Sequence, residues 1–182
     1  MADTPEDDAK LPEEIMWEGK WITARRRGRW EYVGRARGIR AAVILPIDGD
    51  HVILVEQYRV PLGCRCIELP AGLIGDEDSA PGEDPLGTAK RELEEETGYA
   101  AAEWRNCGEF FSSPGMVSES FTLLVARDLT LVGAGGGVDE ENIVVHRVPL
   151  AGIAAAIEQF RTRGLAVDVK LLTLLGASLL SE

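Results

Sequence analysis

Residues 83–99 read EDPLGTAKRELEEETGY, and no other stretch restricts the possible folds of this chain so tightly. At about 100° per residue, a helix through them gathers Glu92, Glu95 and Glu96 into an arc of roughly 100°, because they stand at i, i+3 and i+4. Leu86, Ala89 and Leu93 make a narrow apolar stripe beside that arc. One side of the helix is therefore meant for a core, and the side next to it carries three carboxylates. Glu94 points away from the acidic face. Gly98 is placed to end the helix in the left-handed conformation, with Tyr99 as its apolar partner.

Such a face carries an electrostatic cost. Two carboxylates about 6 Å apart repel by ~3 kcal/mol at an effective dielectric of about 20. The cluster also lies in the C-terminal half of the helix, where the macrodipole disfavours negative charge. A solvated face balanced by Lys90 and Arg91 is one way to accommodate it. The other is a hard divalent cation, for which carboxylate oxygens are the natural ligands.

Composition narrows the remaining classes. A chain of 182 residues fits one domain with a small appendage and buries roughly 70% of its unfolded surface. It therefore needs neither disulfides nor structural zinc. The net charge of −12 argues against general nucleic-acid or anionic-membrane binding. Cys64, Cys66 and Cys107 are odd in number, and Cys64-x-Cys66 has no second ligand pair, so reduced thiols in a cytoplasm are expected. These cysteines, His51 and His146 read as scaffold residues. The N-terminus is acidic and polar and no apolar run approaches the ~18 residues of a membrane span, so neither a signal peptide nor a span is expected.

Along the chain, residues 1–15 read as an acidic, mobile tail. Residues 16–40 form a strand segment with an Arg-rich turn at Arg25–Arg29, and residues 41–182 form the main domain. There AAVILPI (41–47) and HVILVEQYRV (51–60) flank Asp48-Gly49-Asp50 as a hairpin. CIEL (66–69) is a short strand before Pro70-Ala71-Gly72. FTLLVARDL (121–129) and NIVVHRVPL (142–150) add two more strands, separated by the flexible glycine run 133–137. Two apolar-faced helices finish the chain. The expected class is α/β: a mixed sheet with helices on both faces.

The run Arg91-Glu92-Leu93-Glu94-Glu95-Glu96-Thr97-Gly98, with Glu83 upstream, resembles the signature of the Nudix hydrolases. GKW (19–21), RWEYVGR (29–35), VEQYR (55–59), IELPAGLIG (67–75) and SPG (113–115) are similar to the ADP-ribose (ADP-sugar) pyrophosphatase branch. The resemblance spans residues 18 to 150 and implies the Nudix α/β/α sandwich. It implies Mg²⁺, with Mn²⁺ as a substitute, held by Glu92, Glu96 and the Ala71 carbonyl. Catalytic roles fall to Glu95, to Glu141 as a mobile general base, and to Arg91, which orients the carboxylates. Trp21 and Trp30 match an adenine sandwich, with Glu31 receiving the adenine amino group. Arg35, Arg59 and Leu73 match further substrate contacts. Pro114 stands at the branch's usual distance from Tyr99.

One departure is plain. Ten residues separate Gly72 from Glu83, more than the family pattern has, so an insert within GDEDSAP (75–81) lengthens the loop before the helix, a change that loop closure tolerates. The activity implied is hydrolysis of ADP-ribose or another ADP-sugar to AMP and sugar phosphate. The alternatives are another nucleoside diphosphate sugar such as GDP-mannose, or a non-catalytic nucleotide sensor. The resemblance also implies a homodimer whose N-terminal strands pack across a two-fold axis.

Overall fold

The computed structural model describes residues 4–75, 84–138 and 141–179. Its first unit is a three-stranded antiparallel sheet of β1 (Glu14–Glu18), β2 (Ile22–Arg27) and β3 (Trp30–Arg35). Gly28, at φ 58°, turns β2 into β3, and a Cβ there would collide with Asp8. That contact overturns the expectation of a free tail. A helical turn, α1 (Pro5–Asp8), is capped by Thr4 and folds back on the hairpin. Asp8 is 2% exposed and meets Arg29 Nε at 2.9 Å. Glu13 pairs with Arg25 and Arg27, and Glu14 with Arg26, so the chain's own acids neutralise much of the Arg-rich turn.

The main sheet contains β4 (Arg40–Asp48), β5 (His51–Arg59), β6 (Cys64–Glu68), β7 (Ala71–Ile74), β8 (Tyr99–Phe111), β9 (Ser120–Leu131), β10 (Val144–Pro149) and β11 (Ala166–Val167). Its order is β11-β6-β5-β4-β9-β8, with β10 joined to β5 and β7 to β4. The sheet is mixed as expected, since β4–β9 and β6–β11 run parallel. Gly49, at φ 61°, closes the β4–β5 turn, but the hairpin ladder holds only Ile47–Val52 and Asp48–His51. The strands then part. On that edge β4 pairs with β7 from Arg40 to Val43, and β5 pairs with β6 from Val55 to Arg59. Among the described residues, Leu45 and Pro46 have neither β7 nor β5 beside them in the ladder.

Helices cover both faces. The apolar stripe of α2 (Pro85–Thr97) buries Ala89 and Leu93 against Ala42, Ile44, Leu124 and Ala126. On the other face α3 (Ile153–Thr162) and α4 (Leu172–Leu179) bring Ile157, Phe160 and Leu175 against Leu54, Ile67, Leu69 and Val148. Full burial of each such side chain contributes about 1.5–3 kcal/mol, and this fixes the axis of α2 relative to β4 and β7. Among the described residues no helix is long and apolar enough to cross a membrane.

The glycine run is not a free linker. Gly136 and Gly137 N–H donate to the Glu96 and Glu95 carbonyls, each at 2.9 Å, and Gly133 N–H to the Gly98 carbonyl at 3.0 Å. The open carbonyls at the end of α2 are thus satisfied by this loop. A side chain at Gly135 would strike the Thr97 backbone, so glycine here permits close approach as well as turning.

Candidate active site

Helix α2 is framed at both ends. The Asp84 side chain accepts from Leu86 and Gly87 N–H at 2.6 and 2.9 Å, Pro85 sits in the first turn, and Gly98 closes the helix at φ 76° with its N–H on the Glu94 carbonyl. Between these caps Arg91 Nη1 lies 2.9 Å from Glu92 Oε1 and 3.1 Å from Glu95 Oε2, so one guanidinium ties two of the three clustered carboxylates. Glu96 is 5% exposed, and its Oε2 accepts from Ala71 N–H at 3.1 Å. In an extended strand a residue's N–H and C=O leave on the same side, so the Ala71 carbonyl shares the Glu96 side of β7. A Cβ at Gly72 would overlap the Glu92 side chain at Cγ, Cδ and Oε1, so glycine leaves room for that carboxylate beside β7.

The electrostatics match this enclosure. Burial first, and then Glu92, pushes the Glu96 carboxyl up to about 8. Burial also lifts Glu92 to about 7, with Glu95 and Glu141 adding to the rise and Arg91 opposing it. Glu141 belongs to the loop before β10, and its Oε2 accepts from Val138 N–H at 2.9 Å. Among the described residues no three His, Cys, Asp or Glu side chains form a ready cage for a metal ion. Mg²⁺ does not need one, since it takes one or two carboxylates and completes its shell with waters and substrate phosphates. Two crowded carboxyls, Glu96 buried and Glu92 half-buried, beside a carbonyl suit it, because a cation reverses the strain that raises their pKa values.

These groups line a cavity of about 360 Å³. Glu92, Glu96, Ala71, Leu73 and Glu141 stand with Arg35 and Arg59 around it. Arg59 grips the buried Glu68 through Nε at 2.6 Å and Nη2 at 2.7 Å, and Arg35 Nε reaches Glu119 at 2.6 Å.

A family model described as the NUDIX domain matches residues 37–163. The chain belongs to the Nudix family. An ADP-ribose pyrophosphatase of Bacillus subtilis (strain 168) is 37% identical over 103 residues, 57% of this chain and 53% of that protein, so the match spans about half the relative's length. A GDP-mannose pyrophosphatase of Enterobacter sp. (strain 638) is 36% identical over 149 residues, 76% of this chain and 72% of the relative. A crystal structure of an ADP compounds hydrolase superposes with a TM-score of 0.69 at 27% identity, covering 93% of this chain and 92% of that one.

Against the Nudix pattern, the structure brings together Ala71, Leu73, Arg35, Arg59, Glu92, Glu96 and Glu141, with Arg91 and Glu95 on the same helix. Glu83, the insert and Glu140 lie outside the described residues. Trp21, Trp30 and Glu31 are not among the cavity's lining residues. Trp21 is 41% exposed, flanked by Lys20 Nζ at 4.5 Å and Arg37 at 5.7 Å from its ring centroid. Trp30, 46% exposed, lines a separate cavity of about 460 Å³ with Tyr32, Phe111 and Pro114. Glu31 is exposed on β3, opposite Arg26. The three-stranded sheet that carries them precedes the matched Nudix span.

The catalytic-side cavity also takes in Gln57 and Glu68, which lie inside the quoted motifs but were given no role, and Ser112, Glu119 and Lys170, which lie outside them. Glu68 had a signal: a charge between Ile67 and Leu69 in an apolar strand has to be paired. Glu119 and Lys170 had none. They reach the cavity from segments whose local sequence looks like ordinary surface.

Proposed function

We propose that this chain is a Mg²⁺-dependent pyrophosphatase, with Mn²⁺ able to substitute, that hydrolyses ADP-ribose or a related ADP-sugar to AMP and a sugar phosphate. One observation carries this reading: a single cavity holds Glu92, Glu96 and Glu141 together with Arg35 and Arg59, which suits a diphosphate whose charge a divalent cation would neutralise. When bound, the cation supplies neutralisation of the diphosphate charge and a more acidic water. Glu92, Glu96 and the Ala71 carbonyl are the groups that would hold it.

Arg91 keeps Glu92 and Glu95 aligned. A guanidinium has five N–H donors, more than one carboxylate can take, so Arg35 and Arg59 retain donors for phosphate oxygens while Glu119 and Glu68 hold them in place. Glu141 takes the proton of the attacking water, working in a site where close positioning supplies much of the rate. The exposed indoles fit the proposal through a homodimer, in which Trp21 and Trp30 from different subunits stack the adenine, each contributing about 1–3 kcal/mol.

The Enterobacter relative favours a second reading, a GDP-mannose-type substrate on the same machinery. Phosphate release through a coupled phosphatase, run on ADP-ribose, GDP-mannose and other nucleoside diphosphate sugars with Mg²⁺, Mn²⁺ or EDTA, ranks these readings. Turnover of ADP-ribose at the highest kcat/KM supports the first. Nucleotide binding without turnover of any substrate would leave a sensor domain in its place.

A further inference from the structure

The connection from β9 to β10 is described at residues 132–138 and 141–143, and it carries Glu141. Near its start it hangs on the end of α2 through Gly136 and Gly137. Near its end Ile143 N–H closes back on the Gly136 carbonyl at 3.1 Å, and Asn142 passes through the left-handed region at φ 50°. The Asn142 carbonyl, immediately after Glu141, accepts from Arg65 Nη2 at 3.0 Å across 77 residues of sequence.

Arg65 is itself held firmly. Its Nε donates to Glu56 Oε1 at 2.6 Å and its Nη2 to the Glu56 carbonyl at 2.9 Å. Glu56 is 5% exposed, and its other carboxylate oxygen lies 3.0 Å from His146 Nε2 and 3.3 Å from Arg163 Nη2. These partners, Arg65 above all, hold the Glu56 carboxyl below the usual range despite burial. The guanidinium is thus fixed between a buried carboxylate and the peptide that follows Glu141.

We propose that Arg65 is a positioning residue for catalysis: through the Asn142 carbonyl it fixes the backbone after Glu141, and so fixes where the Glu141 carboxylate stands against Glu92 and Glu96. The inference rests on the reading of Glu141 as the base. Neutralising Glu56 does not by itself require Arg65 to reach the loop, because His146 and Arg163 share that carboxylate. A displacement of about 1 Å at a catalytic group costs up to about 100-fold in rate, so the anchor has a measurable kinetic consequence.

The test uses Arg65→Lys, which keeps a cation beside Glu56 but loses the planar fork that serves both acceptors, with Arg65→Gln as a second variant. Amide hydrogen exchange, kcat and KM for ADP-ribose with Mg²⁺, and the double variant with Glu141→Gln are measured on the full chain. Arg65→Lys should speed exchange over residues 134–143 while leaving β5 unchanged, and should lower kcat by about 10–100-fold with KM nearly constant. In the Glu141→Gln background the same substitution should add almost no further loss. Unchanged loop exchange, or equal fold losses in both backgrounds, overturns the inference while the base reading stands. Full turnover by Glu141→Gln alone overturns the base reading and the positioning role with it, and the single variant tells the two failures apart.

Discussion

Glu96→Gln preserves the shape of a buried side chain and removes its charge, so it separates what the acidic helix does for stability from what it does for catalysis. Burial, followed by Glu92, lifts this carboxyl from 4.5 to about 8. At about 1.4 kcal/mol for each pH unit, keeping it ionised in the metal-free fold costs on the order of 5 kcal/mol at most. The sign follows from proton linkage. Between 4.5 and about 8 the unfolded chain has released this proton and the folded chain still holds it, so metal-free stability falls as pH rises through that window. Glutamine does not titrate, and its side-chain oxygen can still accept from Ala71 N–H. In EDTA the two proteins should therefore unfold alike at about pH 5 and diverge above it. By about pH 9 the variant should lead by about 2 kcal/mol or more, or about 4–8 °C in Tm for a chain of this size. Saturating Mg²⁺ should reverse the order, because the cation stabilises the native wild type by mass action, and kcat of the variant should be about 100-fold lower or less still. Urea unfolding across pH, with and without chelator, measures the first effect and the coupled phosphatase assay the second. Parallel pH curves in EDTA, or near-normal turnover with Mg²⁺, would refute the reasoning.

Glu141→Gln should lower kcat by roughly 10²–10⁴ with little change in KM, and a loss in Glu140→Gln instead would move the base by one residue. If Trp21 and Trp30 serve one site from two subunits, mixing Glu96→Gln with Trp21→Ala protein should create heterodimers with one intact site. Activity at subsaturating ADP-ribose should then exceed the mean of the parents, whereas no gain after proven subunit exchange would place the adenine pocket within one chain. Gly135→Ala puts a Cβ at φ 64° against the Thr97 backbone and should cost about 2 kcal/mol or more in thermal unfolding. Gly49→Ala, at φ 61° with open space around it, should cost clearly less, and equal losses would mean the loop does not dock on α2 as described.

What the sequence disclosed was local. The Gly98 cap of α2, its apolar stripe and its carboxylate arc all lie within residues 83–99, and each is a spacing that helix geometry converts directly into position; the Asp84 cap at the other end was not read from the sequence. Strands β4, β5, β6, β9 and β10 were legible for the same reason, through apolar runs and a DGD turn, whereas β7, β8 and β11 were not read from the sequence. Contacts between distant segments were not. Asp8 meets Arg29 across 21 residues and Glu119 meets Arg35 across 84, and no periodicity encodes either pairing. The glycine run was misread because glycine has two uses, freedom and close approach, and only the neighbouring α2 backbone distinguishes them. Lys170 enters the cavity from just before α4, beyond the span of the family match, with Asp168 at 2.6 Å as its partner.

The division of β4's edge has a bearing on how such a chain diversifies. The hollow lies where β7 and β5 take successive stretches of that edge, so its location is an outcome of strand order and of main-chain pairing. Its lining includes other atoms, among them the side chains of Ala41, Gln57 and Leu73, none of which carries a ladder bond through its side chain. Exchanging those side chains alters what is admitted and leaves the pairing intact. A single inserted residue in β4 would instead slip the register against β7 and β9 together. Substrate range can therefore drift over generations at small cost in foldability, while strand lengths stay fixed.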